Sequence, residues 1–176
     1  MRKKLLYTLF LIISILFLPR STVAEPQKLI HEGSKSLNDT IYKNIDYQVE
    51  FQYPKSWKPV TGYTPAKYEG TDGYFLISAV SGGGLNIDEV VKFNAYHKLQ
   101  PYGSKPKIES LIISGQEARL ILPSTDQDEH MHNEVSLMIK YPSPVIINGD
   151  KYDYLIIYAD QNHIYQIGST VTFIHS

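Results

Sequence analysis

The stretch Tyr47-Gln48-Val49-Glu50-Phe51-Gln52-Tyr53-Pro54 alternates side chains of opposite character. In an extended chain, Tyr47, Val49, Phe51 and Tyr53 fall on one side and Gln48, Glu50 and Gln52 on the other. A strand with one dry face needs a second layer to cover it, so a packed domain begins here. Pro54 ends the strand because proline offers no N–H to a ladder. Lys55-Ser56-Trp57 then makes a turn that sets the single tryptophan of the chain as a plug at the end of the core.

Upstream, residues 25–43 are mostly polar and hold no period, which predicts a flexible lead-in and a domain over 44–176. Residues 1–24 read as an export signal. Arg2-Lys3-Lys4 precede an apolar run over residues 5–18, and Thr22-Val23-Ala24 offers small residues at a cleavage site. That run is shorter than the roughly 20 residues that cross a bilayer, so no transmembrane span is expected after cleavage. Arg20 beside the cut leaves an uncleaved N-terminal anchor as the alternative.

The 176 residues are 43% hydrophobic and 20% charged, a globular balance suited to one domain. Arg2, Lys3, Lys4 and Arg20 precede residue 25, which leaves 13 basic residues against 18 acidic in the rest. A mildly acidic domain has no electrostatic footprint for nucleic acid. The absence of cysteine excludes disulfides, thiolate metal sites and a cysteine nucleophile. In an exported chain it fits a bacterial protein better than an animal one.

Downstream, residues 59–73 read as loop with a short strand, and Tyr74 to Val80 as an interior strand. Asn86 caps a helix whose apolar stripe is Ile87, Val90, Val91 and Ala95. Residues 108–113 and 117–122 form a hairpin about Ser114-Gly115-Gln116. A strand over 134–141 is expected to break at Pro142 and Pro144. Asn148-Gly149-Asp150 turns into a strand over 152–159, and Asp160 is placed to cap a C-terminal helix carrying Ile164, Ile167 and Val171. About six strands with two helices, several in hairpins, predict an α+β domain around a largely antiparallel sheet.

Phe51-Gln52-Tyr53-Pro54 followed by Trp57 resembles the first strand of the PsbP/Mog1-like superfamily. The later order of strand, helix after Asn86, hairpin at Gly115 and strand into a final helix is similar to that family over roughly residues 44–174. The resemblance implies an α/β/α sandwich and a role in binding other proteins. It carries no catalytic residue onto this chain, and a fold alone does not fix a function.

The densest set of metal-competent side chains spans Asp126 to Glu134. On an extended chain His130, His132 and Glu134 would point to one side, two imidazoles and a carboxylate of the kind that holds zinc. The competing reading is a solvated polar face that is open rather than concave, and no HExxH spacing supports the metal. Ser81-Gly82-Gly83-Gly84 lies between a strand and a helix but lacks both phosphate-loop endings, so no nucleotide is expected. Ser104-Lys105-Pro106-Lys107 matches a Ser-x-x-Lys pattern that Pro106 spoils.

The chain has 14 tyrosines. Tyrosine suits protein or glycan contacts, and it also has high strand propensity, so a sheet recruits it. Tyr63, Tyr68 and Tyr102 lie in expected loops and are the candidate contact residues. The expectation is an exported, non-catalytic binding domain without cofactor, meeting an envelope or extracellular protein. A cell-wall glycan module and a metal-dependent hydrolase using His130 and His132 are the alternatives.

Overall fold

The computed structural model describes residues 27–28, 38–63, 66–131 and 133–174. The expected signal over 1–24 and the candidate ligand His132 lie outside them. Among the described residues, eleven strands and two α-helices form three layers. The strands are β1 (Gln27–Lys28), β2 (Asp39–Asn44), β3 (Val49–Pro54), β4 (Lys58–Pro59), β5 (Lys67–Glu69) and β6 (Tyr74–Val80). After helix α1 (Ile87–Ala95) come β7 (Lys107–Ile113), β8 (Gln116–Leu122), β9 (Glu134–Ile147) and β10 (Asp150–Asp160). Helix α2 (Ile164–Thr170) and β11 (Thr172–Phe173) close the chain.

The central layer is an eight-stranded sheet in the order β1-β7-β8-β9-β10-β6-β5-β4. All its pairs are antiparallel except β1 with β7. Two hairpins build its middle. Ser114-Gly115 and Asn148-Gly149 both hold positive φ at each position, 48° and 76° in the first and 54° and 92° in the second. Two successive left-handed residues give the turn whose twist matches the flanking strands, and Asn-Gly is its most favourable sequence.

One face of this sheet meets a three-stranded sheet, β11-β3-β2, together with α2. Val49, Phe51 and Tyr53 of β3 are buried there against Phe75, Ile77, Leu137 and Leu155, as the alternation requires. On the other face Ile87, Val90, Val91 and Ala95 of α1, with Tyr102 from the turn after it, pack against Ile121, Met138, Tyr154 and Ile156. Asn86 and Glu89 complete a reciprocal capping box at the start of α1, and Arg119 of β8 grips Asp88 in its first turn through two bonds of 2.6 and 3.1 Å.

Several expectations change. The opposite layer is a small sheet plus one seven-residue helix, so the domain is α+β but not an α/β/α sandwich of six strands. The hairpin β2-β3 folds over the large sheet instead of joining it. Residues 39–43, expected within the lead-in, belong to the strand Asp39–Asn44; only Tyr42 of it is buried, which hides its period. Pro142 and Pro144 do not end β9. Its register with β10 jumps from Lys140↔Tyr154 to Val145↔Tyr152, so both prolines sit in a bulge where no ladder N–H is required.

Asp160 belongs to β10 and does not cap α2. Its carboxylate accepts from the Asn162 N–H at 3.0 Å and the His163 ring at 2.8 Å, while His163 holds the cap position without a side-chain bond to the helix N–H groups.

Candidate functional site

Helix α1 has nine residues and is therefore about 14 Å long. Eight strands spaced about 4.8 Å apart spread over about 34 Å, so one short helix leaves part of its sheet face bare. Along β6, Phe75 and Ile77 enter the core under the small sheet, so Tyr74 and Leu76 point to the α1 side. Their cross-strand partners Glu69 and Lys67 of β5 point the same way. Asp160 and Glu134, directly opposite each other on β10 and β9, border the same region.

These residues line a cleft of about 790 Å³, with Tyr63, Asp72, His130, Met131, Asn133, Gln161 and Asn162 around the rim. Its polar walls are tied to one another. The Tyr74 hydroxyl donates to Glu134 at 3.2 Å, and the Lys67 ammonium lies 2.7 Å from Glu69. Lys67 also sits 5.0 Å from the Tyr63 ring and 5.3 Å from the Tyr74 ring, a double cation–π contact. Burial pushes the Glu134 carboxyl above its ordinary range, with the Tyr74 bond and Lys67 pulling it back. The Tyr74 phenol is pushed up, by burial first and then by the Glu134 charge.

Behind the cleft, Trp57 is 1% exposed and donates its indole N–H to Asp72 at 2.7 Å. Its ring meets His163 edge-on at 4.8 Å, and Asp160 accepts from both His163 and the Tyr74 N–H. Gly73 admits this crowding, because a Cβ there would overlap the Asp160 carboxylate. Two carboxylates face each other across adjacent strands, and these donors offset their repulsion.

His130 lies in a 3₁₀ turn (Glu129–Met131), not in an extended chain, and its ring pairs with exposed Asp128 at 2.8 Å. The helical turn removes the alternation that would have aligned it with Glu134. His130 and Glu134 nevertheless line one concave cleft, where an open strand face was expected. Among the described residues no group of three His, Asp or Glu is disposed to hold a metal ion.

Tyr63 is 52% exposed at the rim. Tyr68 is part of β5 and stacks on Phe75 at 5.0 Å, and Tyr102 is 3% exposed in the core beneath α1. Neither is a free loop residue: strand pairing turned Tyr68 inward, and the turn after α1 folds Tyr102 onto the sheet.

Lys67, Asp72, Tyr74, Asp160 and His163 were not among the candidate site residues of the sequence. Strand pairing assembles them from positions far apart in the chain. The one local signal was Gly70-Thr71-Asp72-Gly73, an acid between two glycines. At Gly82 the loop N–H is already taken by the Asp153 carboxylate at 2.7 Å, the reverse of a phosphate cradle.

Fold and cleft together define a small mixed α and β domain with an acidic, tyrosine-rimmed cleft at one end of an antiparallel sheet. No family model matches the chain, and no curated protein does. Among solved structures, the solution structure of cyanobacterial PsbP (CyanoP) from Synechocystis sp. PCC 6803 is similar to it. The identity is 12%, the match covers 77% of this chain and 92% of that one, and the TM-score is 0.48. A likeness at that level assigns neither a family nor an activity. No described helix is long and apolar enough to cross a membrane.

Proposed function

We propose that the chain is an exported, non-catalytic accessory domain of the PsbP/Mog1-like kind that holds a protein partner in this cleft. The observation that carries the reading is the cleft's charge: among the described residues of its lining, Glu69, Asp72, Glu134 and Asp160 surround one lysine, Lys67, already paired with Glu69. Such a surface draws a segment bearing Lys or Arg by electrostatic complementarity. The internal bonds fix its walls in advance, which lowers the ordering cost of binding. Export rests on the basic start, the short apolar run and the small residues before Glu25.

Glu69 and Gln161 are exposed on the lining, so Glu69→Lys with Gln161→Lys should leave the circular dichroism spectrum unchanged. The double variant is expected to lose an envelope protein that the unaltered chain captures, and that capture should weaken with salt. Retention of wall polymer in place of protein, abolished by Tyr63→Ala, would favour the glycan reading. Stoichiometric zinc together with hydrolysis, both lost in His130→Ala, would favour the hydrolase.

A further inference from the structure

The sheet edges of this domain are unequal. Among the described residues the large sheet ends in β1 and β4, of two residues each, and β11 at one edge of the small sheet also has two. Short edges are the usual protection against stray strand pairing. The remaining edge is β2, with six residues and no proline. Among the described residues β2 pairs with β3 alone. One alternate set of its N–H and C=O groups therefore points away from the sheet. At its centre Ile41 is 59% exposed.

The sequence of this edge, Asp39-Thr40-Ile41-Tyr42-Lys43, is complementary to itself. Tyr42 faces the core, so Asp39, Ile41 and Lys43 share the outer face. An antiparallel partner must set outward residues opposite outward residues. With Ile41 opposite Ile41 of a second copy, Asp39 falls opposite Lys43 at both ends and Thr40 opposite Tyr42. A slip of two residues in either direction sets Ile41 against a charge and removes both ion pairs.

Existing contacts leave room for this. Asp39 accepts from Gln166 through one carboxylate oxygen at 2.7 Å, and Lys43 reaches Glu50 at 3.7 Å with donors to spare.

We propose that β2 joins β2 of a second copy of this chain across a two-fold axis, merging two three-stranded sheets into one of six. A two-fold contact uses the same patch twice, which is what a self-complementary strand supplies. The contact is on the opposite side of the large sheet from the cleft, so the pair would present two clefts to partners.

Sedimentation of the purified protein over rising concentration tests this, with monomer giving way to dimer as the expected result. Asp39→Lys alone and Lys43→Asp alone each set like charges across the axis and should sediment as monomers. Mixing the two variants in equal amounts restores both ion pairs, so a mixed dimer should return. A wild-type monomer at every concentration would overturn the proposal, as would a dimer that survives both substitutions or folded variants that stay monomeric when mixed. Hydrogen exchange of the unaltered protein gives a reading that needs no variant. Protection of the residue 39–43 amides should rise with concentration, and unchanged protection in a sample that dimerises would overturn it too.

Discussion

The two faces of the large sheet are built from the same strands and have opposite characters. Phe75 and Ile77 of β6 enter an aromatic core with Tyr42, Phe51, Tyr53 and Tyr68, ring centroids about 5.0–6.5 Å apart. Their neighbours Tyr74 and Leu76 line the cleft. Val135 and Ala159 are fully buried, while Glu134 and Asp160 beside them border the cleft. The period of two lets one strand hold the domain together on one side and present polar groups on the other. The difference lies in the cover: a second sheet and α2 over one face, and a nine-residue helix over part of the other.

Removing the hinge between the faces should have the largest effect. Trp57 packs on Phe75 and reaches Asp72 behind the cleft. Trp57→Ala should lower stability by roughly 3–5 kcal/mol, read from the denaturant midpoint. A loss under about 1 kcal/mol would mean that the two faces are not coupled through the indole.

On the α1 face, Asp88→Ala deprives the buried Arg119 of its two bonds to that carboxylate and leaves the one to the Ala118 carbonyl. Asp88 keeps 55% of its side chain exposed, so the expected loss is about 1–2 kcal/mol, below that of a fully buried pair. The Arg119 bond holds the Asp88 carboxyl below its ordinary 3.8, with burial opposing. The contribution is therefore complete above that value and lost as pH falls through the lower, folded value. Chemical denaturation of wild type and variant should converge at the acid end.

The smallest expected effect has the opposite sign. Burial raises the Glu134 carboxyl above its ordinary 4.5, so the native state keeps this proton longer than the unfolded chain does. Stability from this group is complete below 4.5 and is lost as pH rises through the raised value. Glu134→Gln keeps an acceptor for Tyr74 and removes the buried charge. It should therefore be slightly more stable than wild type at neutral pH, a gain that vanishes in acid. A variant less stable at neutral pH would show the charge to be needed for folding.

Much of the fold was legible because its signals were local. The β3 alternation, the Asn86 cap with its stripe, and the Gly115 and Asn148-Gly149 turns each report on a few neighbouring residues. β2 was lost because an edge strand with one buried tyrosine reads as polar. The course of β9 past Pro142 was lost because the bulge that excuses both prolines is set by the register with β10. Of the cleft, His130, Glu134 and Tyr63 stood out as chemistry or exposure. Asp72, Asp160 and His163 did not, since only the pairing of β6 with β10 brings residues some 90 positions apart into contact.

The proposed docking place for a protein partner is the uncovered end of the α1 face. Its most direct test is photo-crosslinking in the producing cell, with a photoreactive residue at Tyr63 on the cleft rim and, separately, at exposed Lys151 beside the β9–β10 turn. A discrete adduct to another protein is expected from the Tyr63 position, diminished by Glu69→Lys, and none from Lys151. Adducts from Lys151 with none from Tyr63 would contradict it.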